Sequence, residues 1–533
     1  MIPSISLALL SGFLLNLPFP IAGPLPPWRA AFGWIALVPL LYTLLAPANA
    51  AQPNYLRRSA LTAYLCGIFW YVLNCYWIYQ TMNLYAHVPP AGAVGILILY
   101  SAVLGLYFGL FGLLIALLRR ASGRLLLPLA LAPFLWVAIE LAAARITSVP
   151  WDQLGYSQVD NFLLTGLAPF TGTYGISFVL VAVNALFAAA LLAPSIHLRL
   201  RIGVGAALAA LLMQLGSWLP PKPASTSNYA VLLQPNLSVG EDNLWSESEW
   251  NEITAWMLQE SLRTCTPGYT GMPDPNARPE MPVCTQNVPP PGVVAWPEAP
   301  SAFVSDEPRV TALLANIAKT AHAPVVAGMF GHDDNGTYNS GVVTSPDGIP
   351  LGRYDKIHLV PFGEFVPYRE VFFFAHKLTQ QLVDLQRGRD RKVFRANGHS
   401  FGIFICYESV FADEVRHFAL NGAQVLINIS DDGWYGDTSA PWQHLNMARM
   451  RAIENHRWIV RDANNGVTAS IDPHGRVILS APRHVVTSLV ARYGYESDLT
   501  FYTLYGDLFA YGCGIIVLGA VAFAVMRPRP FQR

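Results

Sequence analysis

Four short strings in the second half of this chain carry the side chains of one kind of chemistry: Trp296-Pro297-Glu298, Asp355-Lys356-Ile357-His358, Pro361-Phe362-Gly363-Glu364 and Ile405-Cys406-Tyr407-Glu408. A carboxylate, an ammonium and a thiol are what acyl transfer through a thioester needs. A free thiol has a pKa of about 8.5 and is a few per cent thiolate near neutrality, so Cys406 needs a base. Glu298 fits, because a carboxylate shielded by Trp296 and Pro297 is pushed toward the useful pKa range. Lys356 can stabilise a tetrahedral oxyanion, helped by the backbone N–H after Cys406. Glu364 and Glu408 would hold the ammonium and the thiol in register. Any one of these residues alone is more often a surface charge or an ion-pair member, since active sites are few per chain. Their order and shared context argue for a site.

The elements that would position them read as strands alternating with helices, the pattern of an α/β layered domain. Residues 229–233, 292–296, 324–329, 401–406 and 424–429 read as buried strands, and 247–263, 308–321, 409–421 and 441–456 as amphipathic helices. Pro346-Asp347-Gly348 and Pro473-His474-Gly475 mark two hairpins. Cys406 follows the strand 399–405 and opens a helix, which puts its thiol near a positive helix N-terminus. Function belongs at strand ends, where such sheets leave crevices.

Of 533 residues, 53% are hydrophobic and 13% charged, too apolar for one soluble domain. Residues 1–221 hold only twelve of the 34 basic and 34 acidic residues, and no lysine. A bilayer core of roughly 30 Å needs about 20 apolar residues in a helix. Eight runs qualify, at about 5–22, 30–47, 59–80, 91–118, 124–144, 164–193, 201–219 and 504–526, with Pro18, Pro20, Pro39, Pro133 and Pro169 marking kinks or ends. The first run lacks the basic n-region and cleavage site of a secretory signal. With the N-terminus cytoplasmic, ten arginines (57, 58, 119, 120, 124, 199, 201, 527, 529, 533) lie inside, and only Arg29 and Arg145 lie in short outside loops. This places 1–221 as a membrane domain and 222–500 as an extracytoplasmic domain, with 501–533 forming the eighth helix and a cytoplasmic tail. The zero net charge, with no basic stripe or zinc spacing, argues against nucleic acid and metal.

The order Glu298, Lys356, Cys406, with Lys356 to Tyr368 and Ile405 to Glu408 around them, resembles the nitrilase (carbon–nitrogen hydrolase) superfamily. Gln234-Pro235-Asn236, Asp432 to Gly436 and Trp442 to Glu454 match as well. The eight-helix frame narrows the resemblance to the apolipoprotein N-acyltransferase family. It implies an αββα sandwich, a Glu298–Lys356–Cys406 triad supported by Glu364, and a pocket lined by Tyr407, Glu408, Trp245 and Trp434. It also implies transfer of an acyl chain from a phospholipid to the α-amine of a diacylglyceryl apolipoprotein, in a bacterial inner membrane with the catalytic domain periplasmic, and with no cofactor. Asp431 departs from the family's usual asparagine. A membrane-tethered amidase or nitrilase is the alternative from the same triad, although a soluble amidase needs no membrane platform.

Other residues take plainer readings. Cys265 and Cys284 bracket a Pro-rich loop that a disulfide would close; Cys66, Cys75 and Cys513 read as buried apolar groups. Glu140 falls near the end of the fifth run, at interfacial depth, where an acid can also position a lipid headgroup. His444 reads as a residue that backs a site residue or as a packing residue, in preference to a metal ligand, and Arg449, Arg451 and Glu454 as members of surface or domain-brace ion pairs. The string Val371-Phe372-Phe373-Phe374-Ala375 is either a core segment or a flap dipping into the bilayer.

Overall fold

A computed structural model describes residues 2–239, 246–265, 284, 289–299, 303–366 and 385–526. Trp245 and the 371–375 segment lie outside these described residues.

Among the described residues, six helices are long and apolar enough to cross a bilayer: Pro27–Leu45, Pro90–Ser122, Leu126–Thr147, Thr173–Leu192, Ile196–Trp218 and Leu508–Met526. A seventh span results if Tyr55–Asn74 and Trp77–Tyr85, bent by 54° at their break, count as one. The expected eighth falls short because the first apolar run forms only the 15-residue helix Ile2–Asn16, about 22 Å long at 1.5 Å per residue. The sixth run is also divided: Gly172, at φ 62°, breaks the chain between Ala168–Thr171 and Thr173–Leu192.

The second domain is built on two six-stranded sheets. The first is ordered β12-β1-β2-β3-β4-β5, with β1 Asn228–Gln234, β2 Val293–Trp296, β3 Val325–Asp333, β4 Gly336–Thr344, β5 Pro350–Asp355 and β12 Thr487–Tyr493. The second is ordered β11-β10-β9-β8-β7-β6, with β6 Val393–Ala396, β7 His399–Ile405, β8 Val425–Ser430, β9 Trp458–Ala463, β10 Ala469–Ile471 and β11 Val477–Ser480. β1, β2 and β3 run parallel, as do β7, β8 and β9. Parallel strands are covered on both faces, and alternation along β1 shows how. Ala230 and Leu232 join Ile403, Ile405 and Ile427 between the sheets; Val231 and Leu233 face α1 (Glu247–Ser261) and α2 (Pro308–Ala321). Helices α3 (Ala412–Leu420) and α4 (Ala440–Asn455) cover the second sheet, completing four layers. Gly402 permits the close approach of α3, since a Cβ there would lie 2.6 Å from Phe418. Gly348 and Gly475 supply the positive φ of the two expected hairpins. Cys265 and Cys284 are joined as a disulfide.

The two domains share a core. Tyr407, Val410, Tyr435, Met447, Met450 and Ile453 pack in one cluster with Leu40, Trp70, Phe108, Trp136 and Trp151 of the membrane domain. Each such side chain contributes roughly 1.5–3 kcal/mol by burial. α4 is buried along nearly its whole length. Gln443 accepts from Trp151 Nε1 (2.9 Å) and donates to Asn74 O (3.1 Å). Glu454 accepts from Thr173 N (3.1 Å), and Arg451 donates to Tyr156 Oη (2.9 Å). Arg449 pairs with Asp160. Arg449, Arg451 and Glu454 are therefore domain braces. Glu140 is likewise tied into the structure instead of standing free at the interface: it accepts from Trp136 Nε1 and Leu154 N, both at 2.8 Å. Asn74, Ser148 and Thr173, which touch the second domain, end or begin helices whose opposite ends carry Arg57 and Arg58, follow Arg124 or lead to Arg199 and Arg201.

Candidate active site

Glu298 follows β2, Lys356 follows β5 and Cys406 follows β7, so the sheets bring three distant sequence strings to one end of the sandwich. Lys356, 1% exposed, reaches two carboxylates: Nζ lies 2.9 Å from Glu298 Oε1 and 3.0 Å from Glu364 Oε1. Burial alone would lower its pKa, but Glu298, Glu364 and the nearby Cys406 outweigh this and hold the ammonium well above its ordinary value. Glu364 is fixed by its second oxygen, which accepts from Val360 N (2.7 Å).

Glu298 is buried, and its Oε1 takes both Lys356 and the Asn339 amide (2.7 Å). Asn339 also donates to Glu364 Oε1 (2.8 Å), and its backbone carbonyl accepts from Lys356 N (2.8 Å). Glu298 Oε2 accepts only Asp431 N (2.8 Å) among the hydrogen bonds of the described residues, which leaves that oxygen a lone pair for a further proton.

Cys406 is buried beside this pair. Burial first, and the Glu298 charge second, push its thiol well above the ordinary value, with Lys356 opposing. At rest it carries its proton. Cys406 has φ 48° and opens a five-residue 3-10 turn, Cys406–Val410, and α3 begins only at Ala412. The expected α-helix N-terminus at the thiol is therefore replaced by this turn, whose cap is a carboxylate. Glu408 Oε2 accepts from Ile405 N (2.7 Å), while Oε1 accepts from Ile357 N (2.6 Å), His358 N (3.1 Å) and Tyr354 Oη (2.8 Å). One buried side chain thus ties the turn at Cys406 to the segment after Lys356.

Tyr407 stacks on Trp151 (6.4 Å, 19°) and donates to Ser148 O (3.3 Å), so it seals the site against the membrane domain. Trp434 stands half-exposed against the edge of Tyr85 (5.9 Å). Asp431 accepts from Gly433 N (3.0 Å) and Asn464 Nδ2 (3.0 Å), and its carboxyl is pushed to about 8 by burial and then by Glu298. Neutral at that value, it fills the usual place of an asparagine without a second negative charge. Asn339 and Trp151 are participants the motifs did not reveal, whereas Asp432 and His444 fall within matched strings that gave no sign of their pairing.

Cys406, Asp432 and His444 bring a thiol, a carboxylate and an imidazole within 4.8 Å of one another, ligand types that suit a metal. Both ring nitrogens are already engaged, Nε2 with Cys406 O (2.9 Å) and Nδ1 with Asp432 Oδ1 (2.8 Å), and Arg461 Nη2 stands 3.1 Å from Nδ1. This is a hydrogen-bonded brace. His456, Glu496 and Asp498 form another such set at the surface, where His456 bonds Asp498 (2.7 Å).

Residues 286–491 match the model of the carbon–nitrogen hydrolase family, and residues 11–186 that of the apolipoprotein N-acyltransferase N-terminal domain. The chain is 31% identical to an apolipoprotein N-acyltransferase of Geobacter metallireducens, over 97% of this chain and 95% of that one. It is also 31% identical to one of Methylococcus capsulatus, over 98% and 96%. Among solved structures, Saccharomyces cerevisiae Nit3, of the nitrilase superfamily, aligns with 54% of this chain and 97% of its own at 17% identity and a TM-score of 0.36.

Proposed function

The chain belongs to the apolipoprotein N-acyltransferase family and is an acyltransferase; we propose that it moves a fatty acyl chain from a phospholipid to the α-amine of an N-terminal diacylglyceryl-cysteine, by way of a thioester on Cys406. The observation that carries this reading is the buried Lys356 ammonium, bridging Glu298 and Glu364 and electrostatically coupled to the Cys406 thiol.

In the first half-reaction the free lone pair of Glu298 Oε2 takes the thiol proton as sulfur attacks the ester carbonyl. Two carboxylates account for two of the three N–H bonds of Lys356, and the third, with backbone N–H groups after Cys406, faces the oxyanion. The ester C–O bond breaks, Glu298 returns the proton to the leaving alkoxide, and a lysophospholipid departs. In the second, the lipoprotein amine attacks the thioester, Glu298 takes the amine proton, the C–S bond breaks and the thiolate is reprotonated. Covalent catalysis splits the transfer into two easier steps. Burial of Cys406, Lys356 and Glu298 supports it by limiting hydrolysis of the thioester.

Both substrates are lipids, and a site sealed to the membrane domain by Tyr407 and Trp151 is suited to receive them. The arginines at the far ends of the helices favour a cytoplasmic face there, with both termini cytoplasmic and the catalytic domain periplasmic, in a bacterial inner membrane. Two-substrate kinetics with phospholipid and a diacylglyceryl lipopeptide test the order. Parallel double-reciprocal lines are expected; intersecting lines, meaning direct transfer in a ternary complex, would refute the thioester route.

A further inference from the structure

Cys406 holds φ 48°, a left-handed backbone that L-residues avoid and that persists only where the surroundings over-determine it. Glu408 fixes the amide before the nucleophile. What fixes its carbonyl is His444, whose Nε2 lies 2.9 Å from Cys406 O. A carbonyl only accepts, so this nitrogen carries hydrogen. The other ring nitrogen is bonded to Asp432, whose Oδ1 also accepts from Ser430 Oγ (2.9 Å) and whose Oδ2 accepts from Arg461 Nη2 (2.7 Å). Arg461 in turn bonds Asn428. Asn428, Ser430, Asp432, His444 and Arg461 are all fully buried. The chain of bonds therefore runs from β8 and β9 through α4 to the backbone of Cys406.

The ring is also held flat. Trp151, from the membrane domain, stacks on it (6.1 Å, 16°), and Tyr435 meets it edge-on (6.0 Å, 73°). The same indole is bonded to Gln443, the neighbour of His444.

We propose that His444 is a positioning residue for the nucleophile: bonded behind to Asp432 and clamped by Trp151, it grips the Cys406 carbonyl and keeps residue 406 in the backbone that aims the thiol at Lys356 and Glu298. The proposal rests on Cys406 being the acylated nucleophile. The membrane domain then sets the geometry of the reacting sulfur through Trp151.

The full-length enzyme in detergent, with phospholipid as donor, provides the test. Glutamine carries an amide N–H out to the reach of Nε2, whereas asparagine carries one only to the reach of Nδ1. His444→Asn, which leaves the carbonyl ungripped, should slow kcat for Cys406 acylation about 100-fold, as a misplacement of the order of 1 Å does. Its KM should stay within about twofold, and His444→Gln should recover kcat to within about fivefold of the parent. Equal rates in the two variants, or a loss confined to KM, overturn the proposal. If His444→Asn does not fold, a folded His444→Gln as slow as about 100-fold overturns it alone. Failure of the underlying reading looks different: transfer would persist in Cys406→Ala, whatever the His444 variants do.

Discussion

Two clusters of buried charge in this chain are built on different arithmetic. At the junction with the membrane domain, Arg451 and Glu454 form a one-to-one pair (2.9 Å), both fully buried, with Tyr156 and Thr173 bonded to them from the other side. At the candidate site one ammonium faces two carboxylates, a neutral amide bridges them, and a protonated thiol stands beside them. In the first cluster each charge already faces its partner, and although burial raises the Glu454 carboxyl to about 7, taking up a proton there leaves Arg451 without its counter-charge. The second retains a base with a spare lone pair and an acid to give it a proton. Buried ion pairs in one protein can thus serve docking or chemistry, and the count of charges and free lone pairs tells them apart.

Neutralising one member of each cluster should separate the two roles. Lys356→Met should slow both half-reactions by about 1,000-fold or more, since it takes away the oxyanion partner and leaves two carboxylates face to face; acyl-transfer assays on folded enzyme measure it. Glu454→Gln leaves Arg451 buried and unpaired, which should cost about 3–5 kcal/mol of stability. Its signature is a lower melting temperature with kcat per folded molecule close to that of the parent. A Glu454→Gln enzyme that melts normally but does not turn over would erase the contrast.

The triad strings are legible in the sequence, because thioester chemistry demands a thiol, a base and a cation, and Glu298 and Cys406 each follow an apolar strand; Lys356 instead follows β5, a largely exposed strand that no apolar run marks. An α/β layered domain follows from strands and helices alternating at ordinary spacings, whereas the αββα order is implied only by the family resemblance. Asn339 is not legible: it sits on β4, 41 residues from Glu298, and only the pairing of β4 with β3 and β5 brings its amide to the carboxylates. Hydropathy likewise marks eight apolar runs where six or seven described helices are long and apolar enough to cross, because it measures apolar length and does not register that the first helix stops at Asn16. At Cys406 the helical pattern of α3 extends back in sequence across a segment that Glu408 holds in 3-10 form, so the pattern alone places the helix start too early.

Smaller perturbations probe the charged cluster of the site in finer detail. Asn339→Ala should lower kcat by about 10- to 100-fold with the acyl donor's KM nearly unchanged, because it loosens both carboxylates without touching substrate. Steady-state kinetics with varied phospholipid give the split. The mildest change is Asp431→Asn. The carboxyl stands at about 8 in the folded chain against an ordinary 3.8, so the fold holds a proton there that the unfolded chain releases. That stabilisation is fully present below about pH 4 and is lost as pH rises toward about 8. Melting temperatures of the parent should therefore fall more steeply between about pH 5 and about pH 8 than those of the variant. Parallel curves would mean that Asp431 is already ionised beside Glu298.

The proposed mechanism turns on a sulfur that carries the acyl group from donor to acceptor. Intact-mass measurement of the full-length enzyme after incubation with phospholipid tests it most directly. The expected result is one added fatty acyl mass, released by hydroxylamine and absent in Cys406→Ala. An unmodified protein that nonetheless acylates its acceptor, or an adduct that survives in Cys406→Ala, would contradict it.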